Sequence, residues 1–296
     1  MSEACENLEP ACVPKTSAGI GLEQAAFLLI LLGSFMFAYF PTWKGLVSAW
    51  YNSDDSFGFF IPPVCLFIGW LKRDVLSKLE KKPSRLGLVL AIGGLLFYLV
   101  GRLGEITTLA ALSIIPTLAG VILYLWGAAF LKELIFPLLL MVCMIPVPSQ
   151  IYSAMTIPLQ LWVSQASTWL AGLLGVAIYS EGNVITLPHK TLEVVQACSG
   201  LRSLTTLLSL GAILGYFLLK SNFLRAVLIA SALPVSIVVN VIRVLALIIC
   251  EYYFDFDLNA GHAHTAFGLV IFLLALALII LVRGGLSFWD KSAVSK

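Results

Sequence analysis

The chain has 296 residues, of which 60% are hydrophobic and only 11% are charged, and its formal net charge is +2. Soluble domains carry about 25% charged residues, so this composition excludes a soluble globular protein and predicts a polytopic membrane protein. The basic residues lie in short segments between apolar runs. No continuous basic face can form, and nucleic acid is not an expected partner.

Eight apolar stretches approach the length of about 20 residues that a helix needs to cross a bilayer. The predicted fold class is therefore all-α, a polytopic transmembrane helix bundle of about eight spans. Residues 1–21 are predicted as a cytoplasmic N-terminal tail, 22–283 as the transmembrane domain and 284–296 as a cytoplasmic C-terminal tail. The predicted spans are residues 22–40, 58–71, 87–104, 107–126, 134–148, 204–219, 226–250 and 265–282.

The orientation follows from the loop at residues 72–85, which holds six of the 18 lysines and arginines. Cytoplasmic loops are enriched in Lys and Arg, so this loop is placed inside. Threading eight spans from it puts both termini in the cytoplasm, with 13 basic residues inside and four outside. The outside residues are Lys44, Arg102, Lys190 and Arg202.

Residues 157–179 are apolar enough to form a ninth span, but a ninth crossing would reverse this charge bias. Gln160, Ser164 and Ser167 recur at helical spacing and form a polar stripe along one face. We therefore predict an interfacial or re-entrant helix on the outer side. The next two segments, 182–188 and 191–195, are rich in β-branched residues around a Pro-His-Lys turn, which predicts a short β-hairpin.

That hairpin leads to Cys198, which lies in a polar stretch at the outer mouth of the span beginning near Leu204. Buried cysteines commonly act as small apolar side chains, but polar neighbours make Cys198 a candidate nucleophile. Gly200 permits close approach of a second backbone. The neighbours predicted to support the site are Glu193, Gln196, Ser199, Gly200 and Arg202.

Arg243 lies seven residues before Cys250 and so about 10 Å below the outer end of its span. A charge at that depth costs about 2.5–3.5 kcal/mol on insertion scales, which favours a functional role. Bridging helices or extending the side chain towards the interface are the alternatives. Ser236, Asn240 and Arg243 share one helix face, and Asn240 is predicted to support the site.

His264 opens the last span on the same outer side, and Gly268 lies one turn deeper on the same face, where it leaves room for a partner. An interfacial histidine without a special role is the alternative. No cofactor is expected, and no metal cluster is predicted, since His262, His264 and Asp257 would form only a loose set.

These three residue types suit acyl transfer on a peptide bond. A thiol with a pKa near 8.5 needs a cationic or basic neighbour to become a nucleophile at neutral pH. His264 can accept the proton and return it to a leaving amine. Arg243 can stabilise an oxyanion or the thiolate.

The motifs that carry a family resemblance are Ala197-Cys198-Ser199-Gly200-Leu201, Asn240-x-x-Arg243, His264-x-x-x-Gly268, Ile145-Pro-Val-Pro148, Pro158-Leu-Gln160 and the segment 182–188. In these the chain resembles the exosortase and archaeosortase family of membrane cysteine transpeptidases. The resemblance implies about eight helices in the cell inner (plasma) membrane. It also implies a Cys-Arg-His site on the extracytoplasmic side.

The implied substrates are exported proteins that end in a short motif such as Pro-Glu-Pro, a transmembrane helix and a basic tail. Similar proteins cleave near the motif and pass the acyl group to an extracytoplasmic acceptor, often alongside exopolysaccharide export. The expected partners are these substrates, the acceptor and membrane lipids. The family often has Tyr-Ser-His-Gly where this chain has Asp55-Ser-Phe-Gly58, so the subfamily and the recognised motif stay open.

Two other functions stay open from the sequence. A transporter could line a path for an anionic solute with Arg243 and the polar stripes, although no inverted repeat is evident. The chain could also be a structural component of a polysaccharide-export system without chemistry of its own, in which case Cys198 should react with a thiol probe no faster than Cys250.

Overall fold

The computed structural model describes residues 22–52, 56–188, 190–193, 201–256, 258 and 261–294. Within them the fold is almost wholly helical, which confirms the predicted all-α class. The helices are α1 (Leu22–Ala38), α2 (Phe40–Asn52), α3 (Ile61–Leu71), α4 (Arg73–Lys78), α5 (Arg85–Leu103), α6 (Thr107–Leu112), α7 (Ile114–Leu125), α8 (Ala128–Leu140), α9 (Ser149–Leu173), α10 (Leu201–Leu218), α11 (Asn222–Phe254) and α12 (Gly261–Val294). Two 3-10 helices span Ser56–Phe60 and Met141–Met144, and the strands are β1 (Tyr179–Glu181), β2 (Val184–Thr186) and β3 (Thr191–Glu193).

Apolar helices cover all the predicted spans. Among the described residues, four helices are long and apolar enough to cross a membrane, or up to six if each bent pair counts as one span. The four are Arg85–Leu103, Thr107–Leu125, Asn222–Phe254 and His262–Asp290. The bent pairs are Ala26–Ala38 with Phe40–Tyr51 and Ala128–Met144 with Ser149–Leu173, and two shorter apolar helices span Ser56–Leu71 and Ser203–Leu218.

The chain divides into two compact units, Met1–Lys44 and Gly45–Lys296. In the first unit, α1 is strongly apolar and presents large side chains such as Ile30 and Phe37 at its surface. Helical hydrogen bonds continue from Phe35 to Tyr39 and from Tyr39 to Trp43, so the backbone stays bonded into the start of α2.

The core of the second unit is built by α10, α11 and α12. Its buried cluster includes Leu204 and Leu207 of α10, Leu228, Ala232 and Val239 of α11, and Ile271, Ala275 and Ile279 of α12. Close approach of α10 and α11 depends on small residues: a Cβ on Gly211 would lie 3.6 Å from the carbonyl oxygen of Leu228. Small residues at a helix crossing allow this backbone proximity in membrane bundles.

The segments predicted to be cytoplasmic contact one another at one end of this unit. Lys72 Nζ lies 2.8 Å from the carboxylate of Glu133, and the ring of Tyr216 stacks on Phe136 at 4.0 Å. The backbone N–H of Lys220 donates to Asp290 at 2.8 Å. The charge threading therefore brought together segments that do meet, and their cytoplasmic location stays a prediction.

A three-stranded antiparallel sheet of order β1-β2-β3 follows α9. The predicted hairpin is confirmed as β2 and β3, and the N–H of Leu187 closes its turn on the carbonyl of Lys190 at 2.8 Å. Strand β1 was not predicted. Its signal was the pair Gly182-Asn183, since Gly182 has a φ of +63° and such pairs form two-residue hairpin turns.

Helix α9 contains the segment predicted as interfacial or re-entrant. It is bent by 80° from the preceding Ala128–Met144, an arrangement found in a re-entrant loop or a broken span. Its polar stripe faces protein, because Gln160 is 7% exposed and Ser164 and Ser167 are fully buried. Trp162 and Trp169 on the other face are 64% and 66% exposed. This helix thus turns its polar side inwards and its apolar side outwards.

Candidate functional site

The segment with the predicted nucleophile joins two described elements. Strand β3 ends at Glu193 and α10 begins at Leu201, so the chain leaves the sheet and enters the bundle through residues 194–200. Cys198, Gln196, Ser199 and Gly200 lie outside the described residues, as do the side chains of Glu193 and Arg202.

Arg243 and Asn240 lie on α11 at a seam with α9. Asn240 is 4% exposed, and Arg243 is partly buried with its Nε out of contact with solvent. The hydroxyl of Ser167 donates to the carbonyl of Val241 at 3.3 Å. The predicted stripe on α11 therefore faces the predicted stripe on α9, a pairing that the sequence analysis missed because it assigned α9 to the outer surface.

His264 lies in the first turn of α12 and is partly buried, whereas His262 is exposed. Among the described residues, Nδ1 of His264 has no hydrogen-bond partner although it is buried. A Cβ on Gly268 would meet no atom within 4 Å. The room predicted one turn below His264 is therefore present.

Arg243 and His264 lie at nearly the same depth. The antiparallel helices α11 and α12 are fixed in register by the contact of Lys220 with Asp290. From there, 23 residues along each helix lead to Arg243 and Phe267. His264 is three residues beyond Phe267, which is about 4.5 Å further out.

The start of α10 lies close to the same level. A Cβ on Gly215 would lie 3.6 Å from Cα of Arg225, which fixes the register of the antiparallel helices α10 and α11. From this contact, 14 residues along each helix lead to Leu201 and Val239. Arg243 is one turn further out, about 6 Å. The chain that carries Cys198 therefore enters the bundle within about one turn of Arg243.

A small pocket opens beside the first turns of α10. Its volume is about 30 Å³ and its lining includes Thr205 and Ser209 of α10, the free thiol of Cys143, and Phe57 and Gly58. A Cβ on Gly58 would collide with the indole of Trp50, whose Nε1 donates to the carbonyl of Met144 at 2.9 Å. Only a glycine fits there. The sequence analysis did not predict this pocket, although Ser209 lay on its polar stripe.

The sheet is attached to the outer end of α11. Ile185 and Leu187 share a buried cluster with Val244 and Ile248 of α11. Lys190 Nζ lies 3.0 Å from the carboxylate of Glu251.

Among the described residues, no group of three His, Cys, Asp or Glu side chains could hold a metal ion. Asp257, named in the loose set above, lies outside them. Cys65, Cys143 and Cys250 are free thiols.

The geometry agrees with a comparison against known protein families. The model of the family described as Transmembrane exosortase matches residues 50–281. The chain belongs to this family. Exosortases are in general membrane sorting transpeptidases that act through a cysteine, and the match contains the sheet, α10, α11 and the described pocket. A search of the curated proteins and of the solved structures gave no match.

Proposed function

We propose that this exosortase cleaves a C-terminal sorting signal of exported proteins on the extracytoplasmic side through a thioester on Cys198. The observation that carries the proposal is one of depth. Arg243, His264 and the start of α10 lie within about one helical turn of one another along the bundle. The segment with Cys198 ends where α10 begins.

The reaction would proceed in two acyl-transfer steps. The thiolate of Cys198, formed as His264 takes the thiol proton, attacks the scissile carbonyl carbon, and Arg243 stabilises the resulting oxyanion. The C–N bond breaks, His264 gives its proton to the leaving amine, and a thioester remains. An acceptor amine or water then attacks, the C–S bond breaks, and the thiol of Cys198 is restored.

The other predicted residues would act around this centre. Asn240 is buried one turn below Arg243 on the seam with α9, a position suited to hold polar groups near the guanidinium. Gly268 keeps space open below His264. Glu193, Gln196, Ser199, Gly200 and Arg202 are proposed to bind the substrate backbone, and the pocket beside Thr205 to receive a substrate side chain.

The substrates would carry a short motif, a transmembrane helix and a basic tail, in the manner of PEP-CTERM proteins. The proposed location is the cell inner membrane, with both chain termini in the cytoplasm and the acceptor outside. The positive-inside bias supports this orientation. The contacts of Lys72 with Glu133 and of Lys220 with Asp290 at one end of the bundle support it as well.

The test is a reporter protein that ends in such a signal from the producing organism, expressed together with the exosortase. We expect Cys198→Ala to slow processing by more than about a thousandfold, because loss of a nucleophile removes the covalent path. Cys250→Ala is the matched control, because Cys250 is a free thiol in the outer part of α11, and it should process the reporter at the wild-type rate. Processing at the wild-type rate by Cys198→Ala would refute the proposal and return the transporter and scaffold hypotheses.

A further inference from the structure

Lys190 and Glu251 form an ion pair between the sheet and α11. The Lys190 ammonium lies 3.0 Å from the Glu251 carboxylate, and the two side chains are 37% and 9% exposed. Glu251 is thus a nearly buried carboxylate with a cationic partner from another element.

A pair of this kind fixes geometry more than it adds stability. Desolvation of the two charges offsets much of their attraction, so buried ion pairs are weak contributors to the free energy of folding. Apolar burial already attaches the sheet, because Ile185 and Leu187 are 1% and 5% exposed in a cluster with α11. The pair adds a directional contact that apolar packing alone does not supply.

The pair sits at the start of the strand that leads to Cys198. Thr191, the first residue of β3, follows Lys190 directly, and Cys198 lies eight residues after Lys190. The hairpin turn is closed by the bond from Leu187 N–H to the carbonyl of Lys190, at 2.8 Å. A displacement of Lys190 would therefore be passed to β3.

The other member of the pair lies on the helix that carries Arg243. Glu251 is eight residues from Arg243 along α11, which is about 12 Å. A continuous helix holds that separation constant. The pair consequently fixes the start of β3 relative to the guanidinium of Arg243.

We propose that Lys190 and Glu251 are positioning residues that hold β3, and through it the Cys198 segment, at the level of Arg243. This inference rests on the proposed function. Loss of either charge would let the segment move away from its cationic neighbours, and the thiol would return towards an ordinary acidity.

The experiment measures the acidity of Cys198 without a substrate. In a protein whose other five cysteines are replaced by serine, the rate of alkylation by iodoacetamide is followed against pH. The variants are Lys190→Gln, Glu251→Gln and the reversed pair Lys190→Glu/Glu251→Lys. In each single variant we expect the midpoint to rise by roughly one pH unit and alkylation at pH 7 to fall about tenfold. The reversed pair should restore both values.

Controls separate positioning from general loosening. Glu133→Gln breaks an ion pair at the other end of the bundle, and Tyr253→Phe removes a hydrogen bond from α11 to the carbonyl of Leu174. Both should keep the wild-type midpoint. Lys190→Arg keeps the charge and should do so too, which maintains the test if a neutral variant does not fold.

Unchanged midpoints in both single variants would overturn the inference, as would a reversed pair that stays as perturbed as the singles. If Cys198→Ala abolishes processing and the wild-type midpoint is depressed, either result overturns only the positioning role. If the wild-type midpoint is near 8.5 and Cys198→Ala still processes the reporter, the proposed function fails, and the inference with it.

Discussion

At the scale of single residues, Lys72 shows how a charge is held at the predicted cytoplasmic end. Its Nζ donates to both the carboxylate and the backbone carbonyl of Glu133, each at 2.8 Å. Desolvation lowers the pKa of Lys72, but the hydrogen bonds to Glu133 and Tyr216 outweigh it and raise that pKa above its ordinary 10.5. The folded protein therefore holds this proton more tightly than the unfolded chain.

The pH dependence of this pair follows from that sign. Its stabilisation is fully present below about pH 10.5 and is lost as pH rises through the higher pKa of the folded state. We expect Glu133→Gln to lower the free energy of unfolding by about 1 kcal/mol at pH 7. Thermal unfolding in detergent at pH 7, 9 and 11 should show the difference shrinking only at the highest pH.

Asp74→Asn is the control for Glu133→Gln. Asp74 lies 3.7 Å from Arg73, and its side chain is 83% exposed, so its loss should change the melting temperature little at any of the three pH values. A deficit in Glu133→Gln that was as large at pH 11 as at pH 7 would contradict the account of Lys72.

The burial of single polar residues was largely predictable. A polar side chain in an apolar span must face protein, and Asn240 and Ser236 are accordingly 4% and 3% exposed. The partner of that stripe was not predictable in the same way. Ser164 and Ser167 give the same periodicity whether the polar face of α9 meets water or another helix, and only tertiary packing decides between the two.

At the scale of elements, α5 and α7 cross through glycines. A Cβ on Gly120 would collide with the backbone of Ala91, and one on Gly87 with the backbone of Tyr124. Small residues allow such approach where lipid provides no hydrophobic drive for helix association. The crossing cannot widen without loss of packing along both helices.

We expect Gly120→Val to destabilise the protein by about 1–3 kcal/mol, because the larger side chain forces the helices apart. Thermal unfolding in detergent measures the change, and Gly120→Ala provides a milder variant if valine prevents folding. Gly93→Val is the matched control, since a Cβ on Gly93 of α5 meets no atom within 4 Å. Equal melting temperatures for Gly120→Val and Gly93→Val would contradict this view of the crossing.

The sequence predicted where helices exist better than where they bend. Hydropathy depends on composition alone, so the run 134–148 looked like a single span. In the structure α8 passes into a 3-10 helix at Met141–Met144 and the chain then turns by 80° into α9. Pro146 and Pro148 lie at that break, and proline disfavours helical backbone in the residue before it. Strand β1 was missed because residue 179 was assigned to the preceding apolar segment.

At the scale of the whole molecule, the second unit carries polar contacts at two ends of an apolar bundle. One end has Lys72 with Glu133 and Lys220 with Asp290. The other has Lys190 with Glu251, next to the sheet. The buried apolar cluster of α10, α11 and α12 lies between them. This arrangement suits a bundle with both ends in water and its middle in lipid, and it leaves Arg243 as the charge furthest from its own helix terminus on the sheet side.

The central claim is that Cys198 becomes acylated by the substrate, and a covalent adduct tests it most directly. Purified exosortase is mixed with a short reporter carrying the sorting signal, without an acceptor, quenched in acid and digested for mass spectrometry. We expect the Cys198 peptide to gain the mass of the fragment on the amino side of the cleaved bond, and hydroxylamine to release it as a thioester. Cys198→Ala should show neither adduct nor product. Product formation by Cys198→Ala, or a hydroxylamine-sensitive adduct on another residue, would contradict the account.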